Sequence, residues 1–250
     1  MKFSKKFTLI FMAVGLVHVS AFAESQVDEK YFQLGEPEVT DVSAKYPDFD
    51  SAAQPGLGED CNASGKSVFP RVSTEPIGKD FNPLNDIEAI VDRVINVGKK
   101  LWDVVVAGSP VVNVKLQTAN ALPQGLQCWV DLQGWKMPQT KVYQVAYRNG
   151  FGAEVVSFAF RVSFTAGGSA SGVGKYITNA TMMTADLNVG WGFTFNAAAE
   201  VPSVFNMGTA KDPIAGLQML MKWSVKTPLK YIETSESFFM NGENQLVHLK

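Results

Sequence analysis

The chain has 250 residues, with 22 Lys and Arg against 24 Asp and Glu, a formal charge of −2, and only 2 His and 2 Cys. That balance lacks the basic stripe that displaces counterions from phosphates, so no nucleic-acid partner is expected. The same scarcity argues against a multi-histidine metal site and leaves Ser-His-Asp or Cys-His catalysis without a vocabulary, so neither cofactor, metal nor catalytic residue is assigned.

In chain order, Lys2, Lys5 and Lys6 precede an apolar run from Phe7 to Val19, and Ala21-Phe22-Ala23 then gives the small-x-small pattern that signal peptidase reads. The run is shorter than the roughly 20 residues that span a bilayer. Residues 1–23 are therefore read as a cleaved, bacterial-type secretory signal. The expected location is the periplasm or the extracellular medium, with the outer membrane as the alternative. Cleavage removes His18 and leaves His248, near the chain end, as the remaining histidine.

Residues 24–81 are rich in Pro, Gly, Ser and acids and show little periodicity, which predicts an irregular N-terminal extension. Its scattered aromatics, Tyr31, Phe32, Tyr46, Phe49 and Phe69, suggest pieces that dock on a core. The rest, 82–250, reads as a single β-rich domain. In an oxidising compartment Cys61 and Cys128 most simply form one disulfide.

A helix is expected over 83–107. Asn82 can cap it, Pro83 suits its first position, and Ile87, Ile90, Val91, Val94, Leu101, Trp102 and Val105 form a stripe at 3–4 residue spacing. Beyond Val111 the period changes to two, which predicts strands at 111–117, 127–135, 140–148, 153–166, 174–185, 187–200, 216–227 and 229–239, with a short edge at 245–249. Successive strands without intervening helices imply an antiparallel sheet. The expected fold is mostly β (α+β): an antiparallel sheet, curved or sandwich-like, with one amphipathic helix packed on its apolar face and the irregular extension laid across it.

Asn149-Gly150 signals a two-residue hairpin that places Tyr143 opposite Val156, and a four-residue loop at 136–139 places Leu132 opposite Tyr143. One face then collects Cys128, Val130, Leu132, Tyr143, Val145, Tyr147, Val156, Phe158, Phe160, Val162 and Phe164, which is a core face. The other carries Trp129, Asp131, Trp135, Gln144 and Arg148, a candidate ligand-binding platform whose rings could stack on a sugar or peptide while amide and charged groups orient it. Burial of both tryptophans under other strands is the competing explanation. The Gly-rich run Gly167–Lys175 lacks the glycine spacing and the Ser/Thr of a phosphate loop and reads as a hairpin tip.

The function expected is an exported envelope protein with a non-catalytic binding or structural role, the candidate partners being cell-wall glycan or another envelope protein. One alternative is a small outer-membrane β-barrel, the single case with a membrane partner, suggested by the alternation over 187–195 and 217–225. A second is a carboxylate-dependent hydrolase, which needs two acids from a set such as Asp131, Glu154, Asp186 and Glu233 to face one cleft.

Overall fold

The computed structural model describes residues 29–47, 90–111, 117–126 and 128–249. In chain order these form α1 (Glu29–Phe32), β1 (Glu38–Asp41), β2 (Ile90–Asn96), β3 (Leu101–Val106), β4 (Ser109–Pro110), β5 (Ala119–Gln124), β6 (Gln139–Arg148), β7 (Glu154–Ala170), β8 (Val173–Val189), β9 (Thr194–Asn206), β10 (Ala215–Lys226), β11 (Tyr231–Asn241) and β12 (Leu246–Leu249). Two six-stranded antiparallel sheets result. The first runs β1-β6-β7-β8-β5-β2 and the second β12-β11-β10-β9-β3-β4, and neither closes on itself. The chain is thus mostly β and sandwich-like, with α1 as the one short helix of the described residues.

The alternation of apolar and polar residues decides which faces meet. Along β10, Leu217, Met219, Met221, Trp223 and Val225 are all buried while Lys222 is exposed. From the first sheet, Tyr143, Val145, Tyr147, Val156, Phe158, Phe160, Val162 and Phe164 turn inward to meet them. Phenylalanines lock the layers together: Phe158 lies 5.0 Å from Phe195 and Phe160 5.7 Å from Phe238, centroid to centroid. Two indole N–H groups carried into this core find acceptors there. The Trp223 indole N–H donates to the Tyr147 hydroxyl at 2.9 Å, and the Trp102 N–H to the Met182 carbonyl at 3.0 Å. Tyr147→Phe removes an acceptor from a buried donor, so a loss of about 1–3 kcal/mol is expected in urea unfolding.

The β6–β7 hairpin forms, in a different register from the expected one. Its turn spans five residues rather than two: Asn149 N–H donates to Ala153, and the Asn149 side-chain oxygen accepts from the N–H groups of Phe151 and Ala153 at 3.0 Å each. Tyr143 therefore lies opposite Phe160, and Val156 opposite Tyr147. A slip of four residues is even, so every side chain keeps its face. The two-residue turn occurs instead at Ser171-Gly172, the tip joining β7 to β8, where both residues have positive φ. The glycine-rich run is thus a hairpin tip, as its composition suggested.

Three expectations are corrected. Where the structure describes the segment expected as a helix (83–107), it forms β2 and β3. Gly98, with φ of +128°, breaks the run, and Ile90, Val91, Val94, Ile95, Val104, Val105 and Val106 are β-branched residues that favour a sheet. Consecutive Val104 and Val105 are both buried because β3 bulges there against β9. No strand spans 127–135: a 3₁₀ turn occupies Trp129–Asp131, and Gly134 adopts φ of +81°. The strand expected over 187–200 is broken at Gly190-Trp191-Gly192, a corner that carries the chain from the first sheet to the second. The strand expected at 111–117 falls largely outside the described residues.

Part of the N-terminal extension completes the first sheet. Phe32 and Tyr31 pack against Phe193 at the corner, and β1 pairs with β6. Tyr46 packs with Val42 on a small cluster at the outer face of the first sheet, while Phe49 and Phe69 lie outside the described residues. Asp41 fastens this strap: its carboxylate accepts from the Ser43 N–H and hydroxyl at 3.0 and 2.6 Å and pairs with Lys141 at 3.2 Å. Desolvation alone pushes its pKa up, yet the Ser43 bonds and the Lys141 charge together outweigh it and hold the carboxyl below its usual 3.8. The fastening is complete above that unfolded value and is lost as pH falls through the lower folded one. Hydrogen exchange should accordingly show the β1 amides protected above about pH 4 and opening progressively as the pH falls below it, and an Asp41→Asn variant losing most of that dependence.

Candidate functional site

The five residues of the expected platform lie in two separate places. Trp129 and Trp135 pack edge to face, centroids 6.4 Å apart, with the Trp135 N–H donating to the Trp129 carbonyl at 3.3 Å. Both are half-buried against the core, and Trp135 covers Gly168 so closely that a Cβ there would lie 2.4 Å from its ring. Asp131 sits beside them in the 3₁₀ turn, where desolvation raises its pKa. Gln144 and Arg148 lie on the outer face of β6, Gln144 donating to the Ser157 hydroxyl at 2.7 Å and Arg148 to the Gly152 carbonyl at 3.4 Å. The chain from Gln133 runs on alongside β7 and does not turn back at 136–139. Nine residues of extended chain therefore separate Trp135 from Gln144, on the order of 30 Å.

The structure draws attention instead to the outer face of the second sheet. A depression of about 680 Å³ lies across β3, β9, β10 and β11. Two cross-strand rungs build it. One runs Asp103–Ala198–Lys222–Ser235 and the next Asn196–Ser224–Glu233. Ala198 and Ser224 are short, so the floor is low between longer walls, and Val106 closes one end. All of these residues stand on strands rather than loops, which fixes their positions relative to one another.

The polar groups are partly committed. Lys222 forms an ion pair with Glu200, one rung away, and Tyr231 donates its hydroxyl to Glu233 at 2.5 Å, which holds the phenol pKa up. The Asn196 side-chain oxygen accepts from the Ala107 N–H at 2.8 Å, and its amide group makes no hydrogen bond among the described residues. Asp103 has no hydrogen bond or ion pair among the described residues. Two carboxylates thus flank one depression, but three strand spacings, about 14 Å, separate the backbones that carry them. No group of three or more potential metal ligands occurs among the described residues.

Comparisons with protein-family models, with curated proteins and with solved structures return no match for this chain.

Most of the trough residues escaped the sequence reading. Asp103 falls within the segment whose spacing suggests a helix, and Glu233 within a predicted strand where nothing local sets it apart. The available signal was the polar phase of the 217–225 alternation, which carries Lys222 and Ser224. Joining those positions to Asp103 and Asn196 requires the strand order, and that is set by contacts distant in sequence. His248, near the chain end in the sequence, is held in β12, stacked on Phe238 at 4.7 Å and bonded to Glu236 at 2.5 Å.

Proposed function

We propose that the chain is an exported, non-catalytic binding protein of a bacterial-type cell envelope, and that its ligand is cell-wall glycan seated in the trough across β3, β9, β10 and β11. The observation that carries this reading is the trough itself. Its volume falls in the range of small-ligand sites. Carboxylate, amide, ammonium and hydroxyl groups converge on it from rigid strands, a donor and acceptor set suited to sugar hydroxyls. Export rests on the N-terminal pattern of lysines, apolar run and Ala-Phe-Ala.

The geometry weighs against the two alternatives. Glycosidase carboxyls act about 5–10 Å apart, closer than strands three spacings apart readily bring Asp103 and Glu233. A membrane barrel must close so that no strand edge meets lipid, and these sheets have edges at β1, β2, β4 and β12.

Titration calorimetry with a soluble N-acetylglucosamine oligosaccharide tests the reading. Asp103→Ala and Glu233→Ala should each weaken binding by about tenfold or more, the worth of a hydrogen bond to a charged group. Trp129→Phe should leave it unchanged. Equal binding by the Asp103 and Glu233 variants, or none by the intact protein, contradicts the assignment. Fractionation should place the protein in the periplasmic wash or the medium, and retention in detergent-extracted outer membrane would favour the barrel.

Export also bears on the cysteines. Cys128 is buried beside the 3₁₀ turn, and its proposed partner Cys61 lies outside the described residues. Peptide mapping of protein taken from the medium or periplasm without reductant should recover the two linked. Recovery of both as alkylatable thiols would refute the pairing.

A further inference from the structure

The four outer edges of the two sheets are not equally protected. Edge strands expose unpaired main-chain groups and are normally guarded by charge, proline or brevity. β1 carries Glu38 and Asp41, β2 carries Asp92 and Arg93, and β4 is a two-residue strand containing Pro110. β12, Leu246-Val247-His248-Leu249, has neither proline nor acid nor lysine, and its histidine side chain is turned inward onto Phe238 and Glu236. Its outward side chains, Val247 and Leu249, are 46% and 42% exposed. They continue an apolar strip begun by the stacked rings of Phe205 and Phe239, 5.9 Å apart.

The ladder phase shows which main-chain groups are offered. Asn241 N–H bonds to Gln245, and Phe239 lies opposite Val247, so the hydrogen-bonded positions of β12 toward β11 are the odd-numbered ones. Leu246 and His248 then present their N–H and C=O groups to the open side, where no described residue forms a strand against them.

We propose that this edge is a homodimer seam: β12 pairs antiparallel with β12 of a second copy about a two-fold axis, joining two second sheets into one continuous sheet. Leu246 of each strand faces His248 of the other, giving about four hydrogen bonds, and Val247 meets its own counterpart on the axis. The choice of a second copy follows from charge. A two-fold axis sets like charges of the two copies near each other, so a self-pairing edge must be free of facing charges; β1 and β2 fail that condition, β4 is uncharged but guarded by its brevity and Pro110, and β12 alone is both uncharged and unguarded. The seam lies along Ser237–Met240 of β11, clear of Glu233 and Ser235, and so leaves the trough open in both copies. The inference is independent of what the trough binds.

The axis gives a sharp test in the full chain. A non-hydrogen-bonded antiparallel pair brings Cα atoms to about 4.5 Å, within the span a disulfide bridges. Val247→Cys should oxidise to a covalent dimer on a non-reducing gel, whereas a cysteine at Met137, 84% exposed and outside the seam, should not. The intact protein should sediment as a dimer. Val247→Lys should weaken that dimer at least about a hundredfold through facing ammonium groups, with unchanged circular dichroism. A monomer in sedimentation, or equal cross-linking at 137 and 247, overturns the proposal.

Discussion

Asn120→Ala is expected to lower the unfolding free energy by about 3 kcal/mol, although it deletes only a small amide. Asn120, on β5, ties β8 to the turn that follows β2. Its side-chain oxygen accepts from the Thr178 hydroxyl at 2.8 Å and from the Asn179 N–H at 3.0 Å, and its amide donates to the Val97 carbonyl. Thr178 is 1% exposed, so both donors would be left in a site that water does not reach. Each unsatisfied buried donor costs about 1–3 kcal/mol. Asn179 adopts φ of +53° where β8 is irregular, so its N–H has no ordinary ladder partner to fall back on. The double variant with Thr178→Val should lose less than the sum of the two single losses, because the second change removes a donor already orphaned. A loss below about 1 kcal/mol in urea denaturation would show that Asn120 is not the junction described.

Phe160→Ala should cost more, about 3–5 kcal/mol. The ring is fully buried between the sheets and touches Phe158 at 5.4 Å, Tyr143 at 6.0 Å and Phe238 at 5.7 Å. Three of these rings belong to the first sheet and one to the second, so their contact is part of what holds the layers face to face. Rigid strands on both sides cannot collapse into the space left behind, which adds a cavity term to the lost burial. Val130→Ala, at a side chain 51% exposed, should change stability by no more than about 0.5 kcal/mol. Similar losses at the two positions would mean that the sheets do not pack as described.

What could be read from the sequence followed the range of the interactions that decide it. The inward face of β6 and β7 was legible because alternation is local and survives an even slip of register. The turn was not, because the Asn149 side chain builds a longer loop than Asn-Gly usually makes. The stripe from Ile87 to Val105 fits a helix and a pair of strands almost equally. The β-branched residues and Gly98 favour strands, and the neighbouring β5 and β9 supply the hydrogen bonds that settle it. At 127–135 the alternation was real, yet β1 takes the edge of β6 that this segment was expected to fill. That competitor lies about a hundred residues away in the chain, and local pattern carries no trace of it. The trough was hidden for the same reason: four strands contribute to it, and only their order reveals that Asp103, Lys222 and Glu233 share a surface.

The trough also contains its own control. Ala197, Ala198 and Ala199 are consecutive on β9; the first and third point into the core, and Ala198 forms part of the trough floor. Ala197 also contributes to the lining, whereas Ala199 does not. Methyl-labelled alanine spectra recorded during titration with the N-acetylglucosamine oligosaccharide should show the Ala198 signal shifting progressively while that of Ala199 stays in place. A saturating shift at Ala198 with Ala199 unmoved is the result expected of glycan binding in the trough. Binding that leaves Ala198 unmoved, or that moves Ala198 and Ala199 alike, would contradict it.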